Sequence, residues 1–414
     1  MKKWTVFLLM YALHAVPTLA QRHEVLNPNI ASVQVVAGTD WLQMPVITLH
    51  GDKVINIAFD DLTHEYHRYI YKVEHCDADW TVSDGLFASD FMEGFADGIS
   101  LDNLEESINT NVLYTHYKLK IPNERCRLKL SGNYRVTIYD ENNNNEEVLR
   151  VYFMVVEPVV GVSLNVTPNT DMGINGRFQQ VSLQMNYGRS IRVTDFQRQL
   201  QTMVLQNGRW DDVRLLPKPQ FLNVDGAQWS HCRELIFEGG NEYRKFEMLD
   251  THDTGLGIES MEWDGSAYHA YLWPDEPRPN YVYDEDANGA FYLRNSDNYE
   301  NDRTSEYVLV HFTLKVPRQN GDVYLNGTWT NDSFTDNYKM EYDEQEECYT
   351  AVVSMKLGYY SYQYLLLNDD VIARFLPTEG SFFQTENQYQ ALVYYRGNGD
   401  RTDRLVGYQQ VSYK

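Results

Sequence analysis

The chain has 414 residues, with 59 acidic against 35 basic side chains and a net charge of −24. Such a field repels phosphate backbones and anionic lipid, which argues against nucleic-acid binding and direct lipid contact. The length suffices for roughly two to four domains, and the partner it fits is a protein or a neutral ligand.

The chain opens like an export signal. Lys2 and Lys3 precede an apolar run from Trp4 to Leu13, and Thr18-Leu19-Ala20 supplies small residues before Gln21. Residues 1–20 therefore read as a signal peptide. The run is too short for a stable membrane anchor, and no later stretch approaches twenty uninterrupted apolar residues, so no direct membrane insertion is expected.

Period-two alternation begins with Ile55, Ile57 and Phe59, as a strand over a core requires. A group of ligand-type side chains follows: Asp60, Asp61, His64, His67, His75, Cys76, Asp77 and Asp79. Zinc would need three or four of these to converge. His64-Glu65-Tyr66-His67 is one residue short of HExxH and has no helix to present it, so no metal is assigned. Within HCDADW, residues His75, Asp77, Asp79 and Trp80 are candidate partner contacts, because an aromatic and charges are grouped just after a strand. The competing reading is a turn in which Asp77 or Asp79 bonds nearby amides and Trp80 packs inward. A short helical piece is expected near 86–95.

Alternation resumes at Tyr134, Val136 and Ile138, then a polar connection runs from Asp140 to Asn145, and the strand Val148 to Val156 ends at Pro158. Val181, Leu183, Met185 and Tyr187 repeat the pattern, and Asn207-Gly208 signals a hairpin. The interval 239–295 is rich in Asp, Glu, Gly and Pro, which predicts long loops. There Asp284, Asp286, Asn288 and Gly289 open like a calcium loop, but the twelfth position is Asn295 rather than a bidentate Glu, so a solvated loop is expected. Beyond a polar stretch at 295–305, Val308, Val310, Phe312, Leu314 and Val316 share one face. Tyr360, Tyr362, Tyr364 and Leu366 alternate later.

These short, turn-punctuated strands predict an all-β protein of tandem immunoglobulin-like or early-set antiparallel β-sandwiches, divided as 21–157, 158–302 and 303–414. Most of the 31 tyrosines fall in alternating segments, which suits half-buried strand positions. Cys76, Cys126, Cys232 and Cys348 form no CxxC pair and leave three full pairings open. A Cys76–Cys126 bridge is the first expectation, because both lie in the first domain. There is no GxSxG elbow, Ser-x-x-Lys or phosphate loop, so neither an enzymatic role nor a cofactor is expected.

Two resemblances add to this reading. The segment 322–370, with DVYLNGTW and CYTAVVSMKLGYYSYQYLLLND, resembles early-set carbohydrate-binding domains that stack sugars on tryptophan. That resemblance implies Trp329 as a glycan contact and a periplasmic glycan-binding protein as the alternative function. HCDADW at 75–80, SINTNVLYTHYKLKIPN at 107–123, LSGNY at 130–134 and ENQYQALVYYRGNGDRTDRLVGYQQV at 386–411 together resemble the type IX secretion plug proteins of Bacteroidetes. This second resemblance implies a periplasmic, all-β, non-enzymatic subunit that closes the inner mouth of an outer-membrane translocon β-barrel. It assigns no contact residues.

Overall fold

The structure, a computed structural model, describes residues 22–368 and 373–414; the expected signal peptide at 1–20 lies outside the described residues. In the first sandwich Ile55–Asp61 buries Ile55, Ile57 and Phe59 and pairs antiparallel with Ile30–Ala37 and Thr115–Ile121. The facing sheet is built on Tyr69–Cys76, Gly132–Asp140 and Glu146–Val156. Side chains from both inner faces make one core, as aligned sheets require. From Val151 to Val156 every residue is buried, alternation notwithstanding, because the outer face of that strand meets the next sandwich.

The middle sandwich pairs Gly161–Thr167, Phe178–Asn186 and Gly226–Trp229 in one sheet. Its other sheet joins Leu200–Gln206 to Asn387–Tyr395 and Arg404–Tyr413, strands from the far end of the chain. Between these visits the chain builds a third sandwich. Arg244–Met248 and Phe291–Leu293 pair with Gly358–Leu367, and Tyr268–Leu272 runs parallel to Tyr307–Leu314.

This topology regroups the chain. The linear division at 302/303 cuts through a sheet, and the closing strands complete the middle sandwich rather than the third. The interval 239–295 keeps one long loop, 273–290, as expected, but it also supplies four strands, Arg244–Met248, Ile258–Trp263, Tyr268–Leu272 and Phe291–Leu293. Its turns carry the polar composition, and strands of three to six residues are too brief to show alternation above that background.

Smaller expectations also shift. The helical piece near 86–95 shrinks to Ala88–Phe91 before a strand begins at Met92. Asn207 and Gly208 adopt the left-handed conformation expected of a tight turn, yet the hairpin is wider, with Val204 opposite Arg214, because Trp210 folds into an apolar cluster. All four cysteines are buried free thiols, so the expected Cys76–Cys126 bridge is absent. Burial pushes both of those thiols up to about 12, which makes them poor nucleophiles.

Candidate functional site: the junctions between the sandwiches

Where the first and middle sandwiches meet, Met154 and Val156 pack with Met203, Leu205, Leu392 and Tyr394. A polar knot surrounds this apolar seam. His75 is 1% exposed; its Nε2 donates to the Ser131 carbonyl at 3.0 Å and its Nδ1 lies 2.9 Å from Ser83 Oγ. Burial holds the imidazole below its ordinary pKa. Gly132, at φ 142°, lets the ring approach, since a Cβ there would collide with it.

Asp77 accepts from Ser83 Oγ at 2.8 Å, from Thr402 Oγ1 and from the Asp403 amide at 3.2 Å, while Arg396 lies 2.7 Å from its other oxygen. Burial alone would raise the Asp77 pKa, but Thr402, Arg396 and Ser83 outweigh it and hold the carboxyl below its usual range. Asp403 accepts from the Ala78 amide at 3.0 Å and meets Arg396 at 3.0 Å. Asp79 is exposed and accepts from Thr81 within its own turn. Trp80 takes a left-handed φ of 65° and sets its ring edge-on to Tyr152 and Trp210, 5.7 and 5.3 Å away. The structure thus brings His75, Asp77 and Trp80 together at an internal seam, with Asp79 on its rim.

The first and third sandwiches are joined by a buried ion pair. Lys356 Nζ lies 2.7 Å from Asp60 Oδ2, and both side chains are fully buried. Tyr307 donates to the same oxygen at 2.7 Å, His116 Nδ1 meets the other at 2.5 Å, and Lys356 lies 4.0 Å from the centre of the Tyr114 ring. Burial would raise the Asp60 pKa, but Lys356 and His116 together hold it below its ordinary value. Outside this knot Asp302 bridges to Lys118 at 2.7 Å, and the Glu306 carboxylate accepts from the Asn111 and Val112 amides.

A third seam clamps the two chain segments that link the middle and third sandwiches. Gln179 donates to the Phe383 and Thr385 carbonyls at 2.8 Å each, Asn387 donates to Gly239 at 2.8 Å, and Asn241 donates to Glu379 at 2.8 Å. Glu379 also meets Arg244 and Arg278.

The other sequence candidates separate. Of the eight ligand-type residues, Asp60 joins the Lys356 pair, His67 bonds Asp140 at 2.8 Å and His75 and Asp77 lie at the first seam. No three metal-ligating side chains cluster among the described residues. In the calcium-like loop, Asp286 accepts from the Tyr243 and Asn288 amides and Asp284 pairs with Lys245 at 2.6 Å. The loop is not wholly solvated: Asp286 is half-buried, and desolvation pushes its pKa up to about 7. Trp329 is 9% exposed, packs in the third core and donates its indole N–H to the Ser361 carbonyl at 3.1 Å, so it offers no open ring face to a sugar.

Lys356, His116, Tyr307, Arg396 and Asp403 went unnoticed in the sequence. Lys356 shares a strand face with exposed Thr350, Val352 and Ser354, so its parity reads as solvent; only docking of the first sandwich buries it. Its partner Asp60 is 296 positions away. The four segments that carry the plug resemblance were nevertheless informative. HCDADW, LSGNY and the closing segment meet at the first seam, and 107–123 supplies Tyr114, His116 and Lys118 to the second.

Residues 30–157 match the family model described as type 9 secretion system plug protein 1st domain. A solved structure of a hypothetical protein from Parabacteroides merdae is similar at 36% identity with a TM-score of 0.92, covering 95% of this chain and 100% of its own. No curated protein matches. With three sandwiches joined at these seams and the first matched to that model, the chain belongs to the type IX secretion plug family.

Proposed function

We propose that the protein is a non-enzymatic periplasmic plug, which binds and closes the periplasmic opening of the type IX outer-membrane translocon barrel. The observation that carries this reading is the welding of three sandwiches into one body by apolar and ionic seams. Domains joined by small polar interfaces move relative to one another by default, whereas a stopper must hold its shape against a pore rim. The HCDADW residues serve that rigidity in this reading, and the partner contact falls elsewhere. No helix among the described residues is long and apolar enough to cross a membrane. In this reading attachment to the outer membrane passes through a protein interface, which for a lasting complex buries about 1,000 Å² or more.

The test is co-purification at native expression level from the host's outer membranes. The plug reading expects a large β-barrel recovered with the protein in the absence of cargo. Recovery of the protein with no such barrel would remove the reading.

A further inference from the structure

The acidic charge of this protein is not evenly shared. The first sandwich, 22–157, carries eleven Lys and Arg against twenty-two Asp and Glu, and the third, 241–380, ten against twenty-seven. The middle sandwich, 158–240 with 381–414, carries twelve against ten. It is the one body with no acidic excess, and it also bears a dense exposed apolar segment. Within ten residues Leu215, Leu216, Phe221, Leu222 and Val224 are all solvent-exposed, Phe221 at 62% and Val224 at 89%. Isolated surface apolar residues are ordinary; five in one loop are an interaction signal.

The backbone under this segment is equally unusual. Arg214–Leu215 is the outer strand of one sheet and Phe221–Leu222 the outer strand of the other. The connection between them therefore presents both edges of the sandwich side by side, with no strand beyond either among the described residues. Open edges are templates for pairing, and proteins normally blunt them with charge or cover. Here Pro217, Lys218 and Pro219 occupy the connection, but the exposed side chains of the edges themselves, Leu215, Phe221 and Leu222, are apolar. The loop is also held in place: buried Trp229 donates its indole N–H to the Pro217 carbonyl at 2.7 Å, and the Lys218 amide donates to Glu234 at 3.1 Å. Exposed Arg189, Lys218 and Arg233 lie around it, as do exposed Asp225 and Glu234.

We infer that Leu215–Val224 is the docking edge for the translocon barrel, and that it takes an extended, strand-forming segment from the barrel's periplasmic side. This rests on the plug reading. Transmembrane barrels turn their strands back through short periplasmic connections, which supply extended backbone at the pore rim. Addition of such a segment to an open edge gives affinity through main-chain hydrogen bonds and selectivity through alternate side chains. Apolar residues on the arriving segment would meet Phe221 and Leu222, and acidic ones would meet Lys218 and its basic neighbours.

The experiment uses the full protein in its own host. Phe221→Asp with Val224→Asp places charge on exposed positions and should leave the melting temperature unchanged. The docking inference expects at least a tenfold loss of co-purified barrel, while Trp273→Asp, an exposed change in the third sandwich, retains it. A photo-crosslinking residue at position 222 should trap the barrel. Wild-type recovery by the double variant would overturn the docking edge and leave the plug reading intact. Failure of the unmodified protein to recover any barrel would remove both. A crosslink to a second copy of this chain would show the edge to be a self-association surface and overturn the inference.

Discussion

Lys356 and Asp60 show at residue scale what holds this protein in one shape. Two charges with no solvent exposure must satisfy each other, and removing Lys356 leaves Asp60 buried with only Tyr307 and His116 to compensate it, at up to about 3–5 kcal/mol. Lys356→Met should therefore destabilise the protein by that order in denaturant unfolding, and Asp60→Asn added to it should recover part of the loss. A surface-like cost below about 1 kcal/mol would mean that the pair is not buried in solution. Asp286 makes the opposite kind of statement. Its native pKa is raised from 3.8 to about 7, so its stabilising contribution is complete in acid and is lost as pH rises through about 7. Asp60 and Asp77 are held below their ordinary values, so their contributions fail only under stronger acid, outside that window. The melting temperature should thus fall between pH 5 and pH 7 and level off above pH 8, and Asp286→Asn should narrow the difference. A gap of the same size in the variant would contradict the assignment. Neither residue's environment was legible in the sequence. Asp60 read as one more ligand-type side chain and Asp286 as part of an open loop, because burial by a distant segment leaves no local signature.

The individual strands were far easier to read than their partners. Ile55–Phe59, Tyr134–Ile138 and Val308–Leu314 announce themselves by alternation, and each buries the face that the pattern marks. Alternation says nothing about which sheet a strand joins. Asn387–Tyr395 lies beside Leu200–Gln206 across some 190 positions, and the closing segment was consequently assigned to the nearest domain in sequence. The observed topology makes a sharp expectation about fragments. Residues 241–380 hold a core of their own, and the chain enters and leaves them at adjacent points, with the Phe382 amide donating to the Gly240 carbonyl at 2.9 Å. That piece should fold cooperatively alone. The piece 303–414 should not, since it lacks the strands 244–248 and 268–272 and carries two closing strands with no partner sheet. Circular dichroism melts of the two fragments distinguish these outcomes, and equal cooperativity would contradict the inserted arrangement.

At the scale of the molecule, three sandwiches with separate cores are tied by seams that differ in character. One is largely apolar with a polar knot, one is a buried ion pair, and one is a clamp of amide hydrogen bonds. Each seam uses residues far apart in the chain, so the body forms only when all three sandwiches are in place. Such an object suits a role carried by shape, and the proposed function is that this shape closes a pore. Single-channel conductance of the purified, cargo-free translocon barrel in a planar bilayer tests this most directly. Addition of the mature protein to the periplasmic side should reduce the open conductance close to the baseline of the bare membrane. An unchanged conductance, with the protein shown to be bound, would contradict the account.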